Sequence, residues 1–145
     1  MSNSQFPISN PNYLEGKQHQ DQRGIITFNN EFDASQIKRI YTIENTALDF
    51  IRGWQGHKIE QRWFACMKGS FEISVIQVND FEKPSKDGSI TKYLLTDDVL
   101  TYLHVPAGFI TAIQAKENNS KVLVLSDYSL GEIEDEYRFP IDYFL

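Results

Sequence analysis

Apolar and polar residues alternate over short stretches of this chain and nowhere settle into the spacing of an amphipathic helix of ordinary length. In Phe71-Glu72-Ile73-Ser74-Val75 the alternation puts Phe71, Ile73 and Val75 on one face and Glu72 and Ser74 on the other, the signature of a half-buried antiparallel strand. Tyr102-Leu103-His104-Val105 alternates in the same way but has apolar character on both faces, as the wall of a barrel around a cavity requires. The same reading predicts strands over Ile25–Phe28, Ile37–Ile43, Phe50–Trp54, Trp63–Met67, Phe71–Val78, Lys92–Thr96, Tyr102–Val105, Ile110–Ala115 and Lys121–Ser126. Turn residues separate them, notably Lys68-Gly69-Ser70, Lys86-Asp87-Gly88-Ser89, Pro106-Ala107-Gly108 and Glu117-Asn118-Asn119-Ser120. Asp33 to Gln36 and Thr96 to Val99 are long enough for a helical turn each. So many short strands in one stretch predict an all-β sandwich or barrel.

The two ends depart from this pattern. Residues 1–20 are rich in Asn, Gln and Ser and are expected to form an arm or to donate an edge strand, with the barrel domain occupying 21–145. After Tyr128 the chain turns acidic and aromatic, and Tyr137, Phe139, Tyr143 and Phe144 need a surface to bury against, either the chain's own barrel or that of a second subunit. A homodimer is therefore expected.

Size and charge narrow the class. At 145 residues, with 41% hydrophobic and 23% charged positions, the chain has the composition of one folded domain. A net charge of −6 with 14 scattered basic residues argues against nucleic acid as a partner. An anionic small molecule stays open, because a diphosphate needs only two or three local cations. One cysteine, no basic-then-apolar leader and no apolar run of membrane-spanning length predict a cytoplasmic chain without a disulfide or a membrane partner.

Candidate chemistry concentrates in Arg52-Gly53-Trp54-Gln55-Gly56-His57-Lys58, continuing through Arg62, where an imidazole sits among cations. Its two glycines allow a close backbone approach or a bulge that re-aims side chains. From the residues alone, His57 and Lys58 either decorate a strand end or do chemistry, and both readings stand at this point. His104 reads as a strand residue facing solvent or cavity, and Cys66 as a small buried hydrophobe.

The run resembles the first motif of cupin barrels, His-x-His with a downstream Glu, and Pro106-Ala107-Gly108 resembles the second, Pro-x-Gly followed by His. Here Gln55 stands at the first His, Gln61 at the Glu and Thr111 at the last His, which is too few ligands for a metal. Asp21-Gln22-Arg23-Gly24 is similar to the Asp-x-Arg-Gly of the dTDP-4-dehydrorhamnose 3,5-epimerases. Ile37-Lys38-Arg39-Ile40-Tyr41-Thr42-Ile43 resembles the Tyr-bearing strand of the sugar-nucleotide 3,4-ketoisomerases, whose Arg-Gly-x-His-x-His-Lys, Cys and Gly-Ser are matched by Arg52 to Lys58, Cys66 and Gly69-Ser70. Val124-Leu125-Ser126-Asp127-Tyr128 and Asp142-Tyr143-Phe144-Leu145 are similar to that family's tail.

The resemblance implies an antiparallel cupin, or jelly-roll, barrel. It also implies a dTDP-4-keto-6-deoxy-sugar 3,4-ketoisomerase or epimerase that needs neither metal nor organic cofactor and takes a nucleotide sugar as substrate. In that scheme His57 abstracts the proton beside the ketone, and Tyr41 and Tyr128 are candidate acids. Arg23, Arg52, Gln55 and Lys58 would bind substrate, the cations through the diphosphate or the oxyanion. Gln55 is the departure: Gln cannot exchange a proton near neutral pH, so the rival reading is a silent cupin that binds a nucleotide sugar without turning it over.

Overall fold

A computed structural model describes residues 10–45 and 47–144; residues 1–9 of the expected arm, and Leu145 of the tail, lie outside the described residues. Twelve strands are formed among them: β1 (Asn12–Leu14), β2 (Lys17–Asp21), β3 (Gly24–Phe28), β4 (Arg39–Glu44), β5 (Ile51–His57), β6 (Arg62–Lys68), β7 (Ser70–Gln77), β8 (Thr91–Thr96), β9 (Tyr102–Val105), β10 (Phe109–Ala115), β11 (Lys121–Ser126) and β12 (Tyr137–Arg138). A three-residue 3-10 turn at Ala34–Gln36, capped by the Asp33 side chain, is the single helical element among the described residues. Among the described residues no helix is long and apolar enough to cross a membrane.

The strands build an antiparallel two-sheet cupin jelly roll. One sheet runs β1-β9-β6-β11-β4 and the other β12-β5-β10-β7-β8, while β2 and β3 form a separate two-stranded hairpin. Period-two alternation decides what faces inward. Phe64, Cys66, Phe71, Ile73, Val75, Leu103, Val105, Val122 and Val124 meet between the sheets, and each large side chain so buried contributes roughly 1.5–3 kcal/mol. The opposite faces are also covered. Trp63, Ala65, Tyr102 and Leu125 pack under Leu14, Phe32 and Ile37, and Trp54, Ile76, Phe81, Ile110 and Ala112 pack under Phe139, Tyr143 and Phe144.

The aromatic tail thus buries its rings on its own barrel. Phe144 meets the Trp54 ring edge-on at 5.2 Å, the Trp54 indole N–H donates to the Ile141 carbonyl, and the Tyr143 hydroxyl donates to the Pro84 carbonyl. At the other end, residues 12–14 add an edge strand beside β9, and the β2–β3 hairpin runs across residue 21.

Two glycines have identifiable jobs. A Cβ on Gly56 would stand 2.1 Å from a methyl of Ile110, so β5 and β10 can pair here only with Gly; the close approach is to the protein's own side chain. Gly69 turns β6 into β7 at φ +78°, in the left-handed region.

Candidate active site

Between β4, β5 and β12 the two sheets part into a cavity of about 570 Å³, lined by Arg39, Tyr41, Phe50, Arg52, Gln55, Glu136 and Arg138 among others. This is the usual size of a small-molecule site. Beneath it lies a narrow chamber of about 20 Å³ bounded by Tyr41, Arg52, Gln55, His57, Arg62 and Thr111. Alternation along β5 turns Gln55 and His57 inward and Trp54 outward. The β5–β10 register then slips: Thr111 pairs with Gln55 but Ile113 pairs with Arg52, one residue more on β5 than on β10. That bulge brings Arg52 back to the cavity wall, as the Gly53 position in the sequence suggested.

His57 is buried and held from one side. Its Nδ1 lies 3.1 Å from the Asp135 carbonyl oxygen and 3.5 Å from Glu60 Oε2, and both are acceptors. Nδ1 must therefore carry the hydrogen, leaving the Nε2 lone pair as the ring's basic site. Burial pushes the His57 pKa down, with the nearby Arg62 cation acting in the same direction, so the neutral ring prevails at pH 7. Asp135 fixes the turn that follows: its carboxylate accepts the backbone N–H groups of Lys58, Ile59 and Glu60 at 2.7 to 2.9 Å.

Tyr41 is held through Arg62. Arg62 Nη1 donates to the Tyr41 hydroxyl oxygen at 2.6 Å, while Nη2 sits 3.1 Å from Glu60 Oε1, which also accepts from the Ser126 hydroxyl. Arginine donates only, so the Tyr41 hydroxyl keeps its own hydrogen free to donate elsewhere. Arg39 lies over the Tyr41 ring at 4.8 Å. At the rim, Arg138 donates to Glu136, which holds that carboxyl below its ordinary range. Arg39 and Arg52 form no ion pair among the described residues, so their charges in the cavity wall are not offset by a carboxylate.

The structure brings together Tyr41, Arg52, Gln55 and His57 of the residues singled out in the sequence. Three others stand apart. The Lys58 side chain is exposed beyond His57 and lines neither cavity; Tyr128 is half-buried after β11, with its backbone tied to Ser126. Arg23 is 80% exposed at the tip of the β2–β3 hairpin, where it pairs with Asp21 at 2.7 Å. His104 faces neither solvent nor cavity, contrary to its sequence reading: it is buried on the outer face of its sheet, stacked on Trp63 at 4.7 Å and bonded to Gln61 Oε1 at 2.7 Å. Gln61 turns outward with it, toward Asp127, so it does not stand beside His57 where a metal-ligating Glu would.

Sequence reasoning missed Arg39, Asp135, Glu136 and Arg138, and it gave no role to Glu60 and Arg62, which lie in the candidate run. Arg39 and Arg62 were visible as inward positions of β4 and β6, two residues from Tyr41 and Phe64. Asp135 and Glu136 carried no signal, since an acidic tail reads as solvated surface. His57, Glu60 and Asp135 do place three ligand atoms within 4.8 Å of one another. Those donors are committed, however: Asp135 to three backbone N–H groups, Glu60 to Arg62 and Ser126, and His57 Nδ1 to a carbonyl. The Arg62 cation beside Glu60 further disfavours a metal ion there.

Comparison with known proteins places this geometry. The family model described as "FdtA: WxcM-like, C-terminal" matches residues 9–143. No curated protein matches by sequence. Among solved structures, a His-to-Asn mutant of the 3,4-ketoisomerase QdtA from Thermoanaerobacterium thermosaccharolyticum in complex with TDP-4-keto-6-deoxyglucose is 22% identical; the match covers 95% of this chain and 94% of that one with a TM-score of 0.68. The TDP-quinovose 3,4-ketoisomerase WlaRB from Campylobacter jejuni is 24% identical over 94% and 98% of the two chains, with a TM-score of 0.65. The rmlC epimerase of Mycobacterium tuberculosis is 17% identical over 93% and 71%, with a TM-score of 0.70. At these identities the likeness is one of fold.

Proposed function

The chain belongs to the FdtA family of WxcM-like C-terminal domains, and from that premise we propose that it is a TDP-4-keto-6-deoxy-sugar 3,4-ketoisomerase or epimerase. The observation that carries the reading is the orientation of His57. Two acceptors on Nδ1 leave Nε2 as a neutral base in the chamber that Tyr41 also lines. In the reaction, Nε2 takes the proton from the carbon beside the ketone, the C–H electron pair forms a carbon–carbon double bond, and the ketone oxygen takes up negative charge. Tyr41 donates to that oxygen. Returning the proton to the former carbonyl carbon, while the hydroxyl on the original carbon gives its proton back to Tyr41 and becomes the new carbonyl, moves the ketone; returning it to the opposite face of the original carbon, with the oxygen's proton going back to Tyr41, inverts that centre. Arg39 and Arg52, with Arg138 at the rim, hold the diphosphate in the larger cavity.

Gln55 favours a second reading, a silent nucleotide-sugar binder, because it occupies the first histidine position of the motif and cannot exchange a proton near neutral pH. One measurement separates the two. Solvent deuterium should enter TDP-4-keto-6-deoxyglucose in the presence of wild-type protein, and His57→Asn should lower the rate by at least a hundredfold with TDP affinity unchanged. Tight binding without exchange by the wild type would establish the silent binder.

The proposed assembly is a homodimer. The β2–β3 hairpin belongs to neither sheet and leaves Ile25 and Ile26 more than half exposed, at 55% and 58%. Arg23, at its tip, lines neither the cavity of about 570 Å³ nor the inner chamber of its own subunit, so a role for it on a diphosphate held there requires a second copy.

A further inference from the structure

We propose that the buried guanidinium of Arg62 receives the ketone oxygen of the sugar, through its Nε–H. The proposal rests on the substrate class given above and assigns that site a contact neither motif indicated.

Three observations carry it. Arg62 is 6% exposed, and its fork is spent on two sides: Nη1 on Tyr41 and Nη2 on Glu60. Its Nε is buried and has no hydrogen-bond partner among the described residues. A buried charged donor left unpaired is costly, so such a group in a wall that borders a ligand cavity is a contact waiting for its acceptor. Second, Arg62 bounds the inner chamber together with His57 and Tyr41, where the proposed base and acid act. Third, that chamber holds about 20 Å³, room for one water or one ligand oxygen and too little for a phosphoryl group. The diphosphate stays in the larger cavity and a single carbonyl oxygen enters the smaller.

The charges fit the same assignment. Arg62 and Glu60 offset one another and His57 is neutral, so before substrate reacts the unpaired charge among the residues lining the chamber is the positive one of Arg52. When the proton moves from the sugar carbon to His57, the electron pair moves into the new double bond and the ketone oxygen becomes an oxyanion beside a permanent cation. That interaction strengthens as the charge develops, as a transition-state contact should.

Calorimetry with TDP and with TDP-4-keto-6-deoxyglucose tests the contact. Arg62→Lys keeps the charge but loses the fork, and it should weaken binding of the keto-sugar nucleotide at least tenfold while TDP affinity stays within twofold. Should Arg62→Lys fail to retain TDP, the double variant Glu60→Gln with Arg62→Gln removes both buried charges together and carries the same comparison. On the wild type, the Arg62 Nε–H resonance should move on adding the keto-sugar nucleotide and not on adding TDP. An Nε–H that responds equally to both ligands, or keto-sugar affinity that falls no further than that of TDP, overturns the proposal. Deuterium exchange by the wild type is a separate arm: its absence defeats the isomerase reading while the binding comparison still decides the Arg62 contact.

Discussion

Two buried histidines show how environment assigns the same side chain different work. His57 is aimed at a chamber and oriented by Asp135 and Glu60, whereas His104 is stacked on Trp63 with Gln61 at its Nε2 and has no route to a ligand. Burial pushes the His104 pKa down to about 4 from an ordinary 6.5. The unfolded chain therefore takes up this proton before the folded one does. The stability carried by the neutral ring is whole above about pH 6.5 and is lost as pH falls toward 4, below which the native ring protonates as well. Urea unfolding between those limits should show wild-type stability declining more steeply than that of His104→Phe, by up to about 1.4 kcal/mol per pH unit. Equal slopes would mean that the ring is already solvated in the native state. Burial of Cys66 pushes its thiol up to about 12, in keeping with the inert core position read from its apolar strand.

Alternation over five or six residues made β4, β6, β7 and β11 legible, because each buries one face inside and part of the other outside, and the spacing of side chains records that directly. It failed where elements are too short or too polar to carry a period. β12 is two residues long and β2 reads Lys-Gln-His-Gln-Asp, yet one closes the cavity beside β5 and the other builds the hairpin. Tyr41, Arg52 and His57 could be found as candidates from their motif, but their partners could not: the carboxylate that holds the turn after His57 comes from 75 to 77 residues away, a distance no local pattern spans. The hairpin gives a test at this scale. Ile25→Asp with Ile26→Asp should convert a sedimenting dimer to monomer, with little change in far-ultraviolet circular dichroism. A wild-type chain that sediments as a monomer at high micromolar concentration would remove the dimer from the scheme.

At the scale of the whole molecule, a barrel with both outer faces covered supports a cavity at one edge. The tail is part of that cover, and Asp135 ties it to the end of β5 and the turn after His57. Asp135→Ala strips the acceptor from three backbone N–H groups, two of them on half-buried or exposed residues and one on buried Glu60. Unfolding free energy should fall by roughly 2–4 kcal/mol. Exchange activity should fall further than folded fraction explains, because the Asp135 carbonyl that orients His57 is no longer anchored by its carboxylate. Asp135→Asn, which keeps one acceptor oxygen, should lie between the two; a variant as stable and as active as the wild type would show that the turn holds itself.

The same tie sets an order of events during synthesis. β5 leaves the ribosome early, yet its edge partner β12 and the residue that orients His57 are made about 80 codons later, the hydrogen bond from Nδ1 spanning 78 residues. A nascent chain that has paired β7 with β10 and β6 with β11 already has most of its core and the Arg62 contact to Tyr41, but not the contact that orients His57. Premature termination before residue 135 would therefore yield a collapsed product whose His57 is not oriented and which, on the proposed function, would turn nothing over.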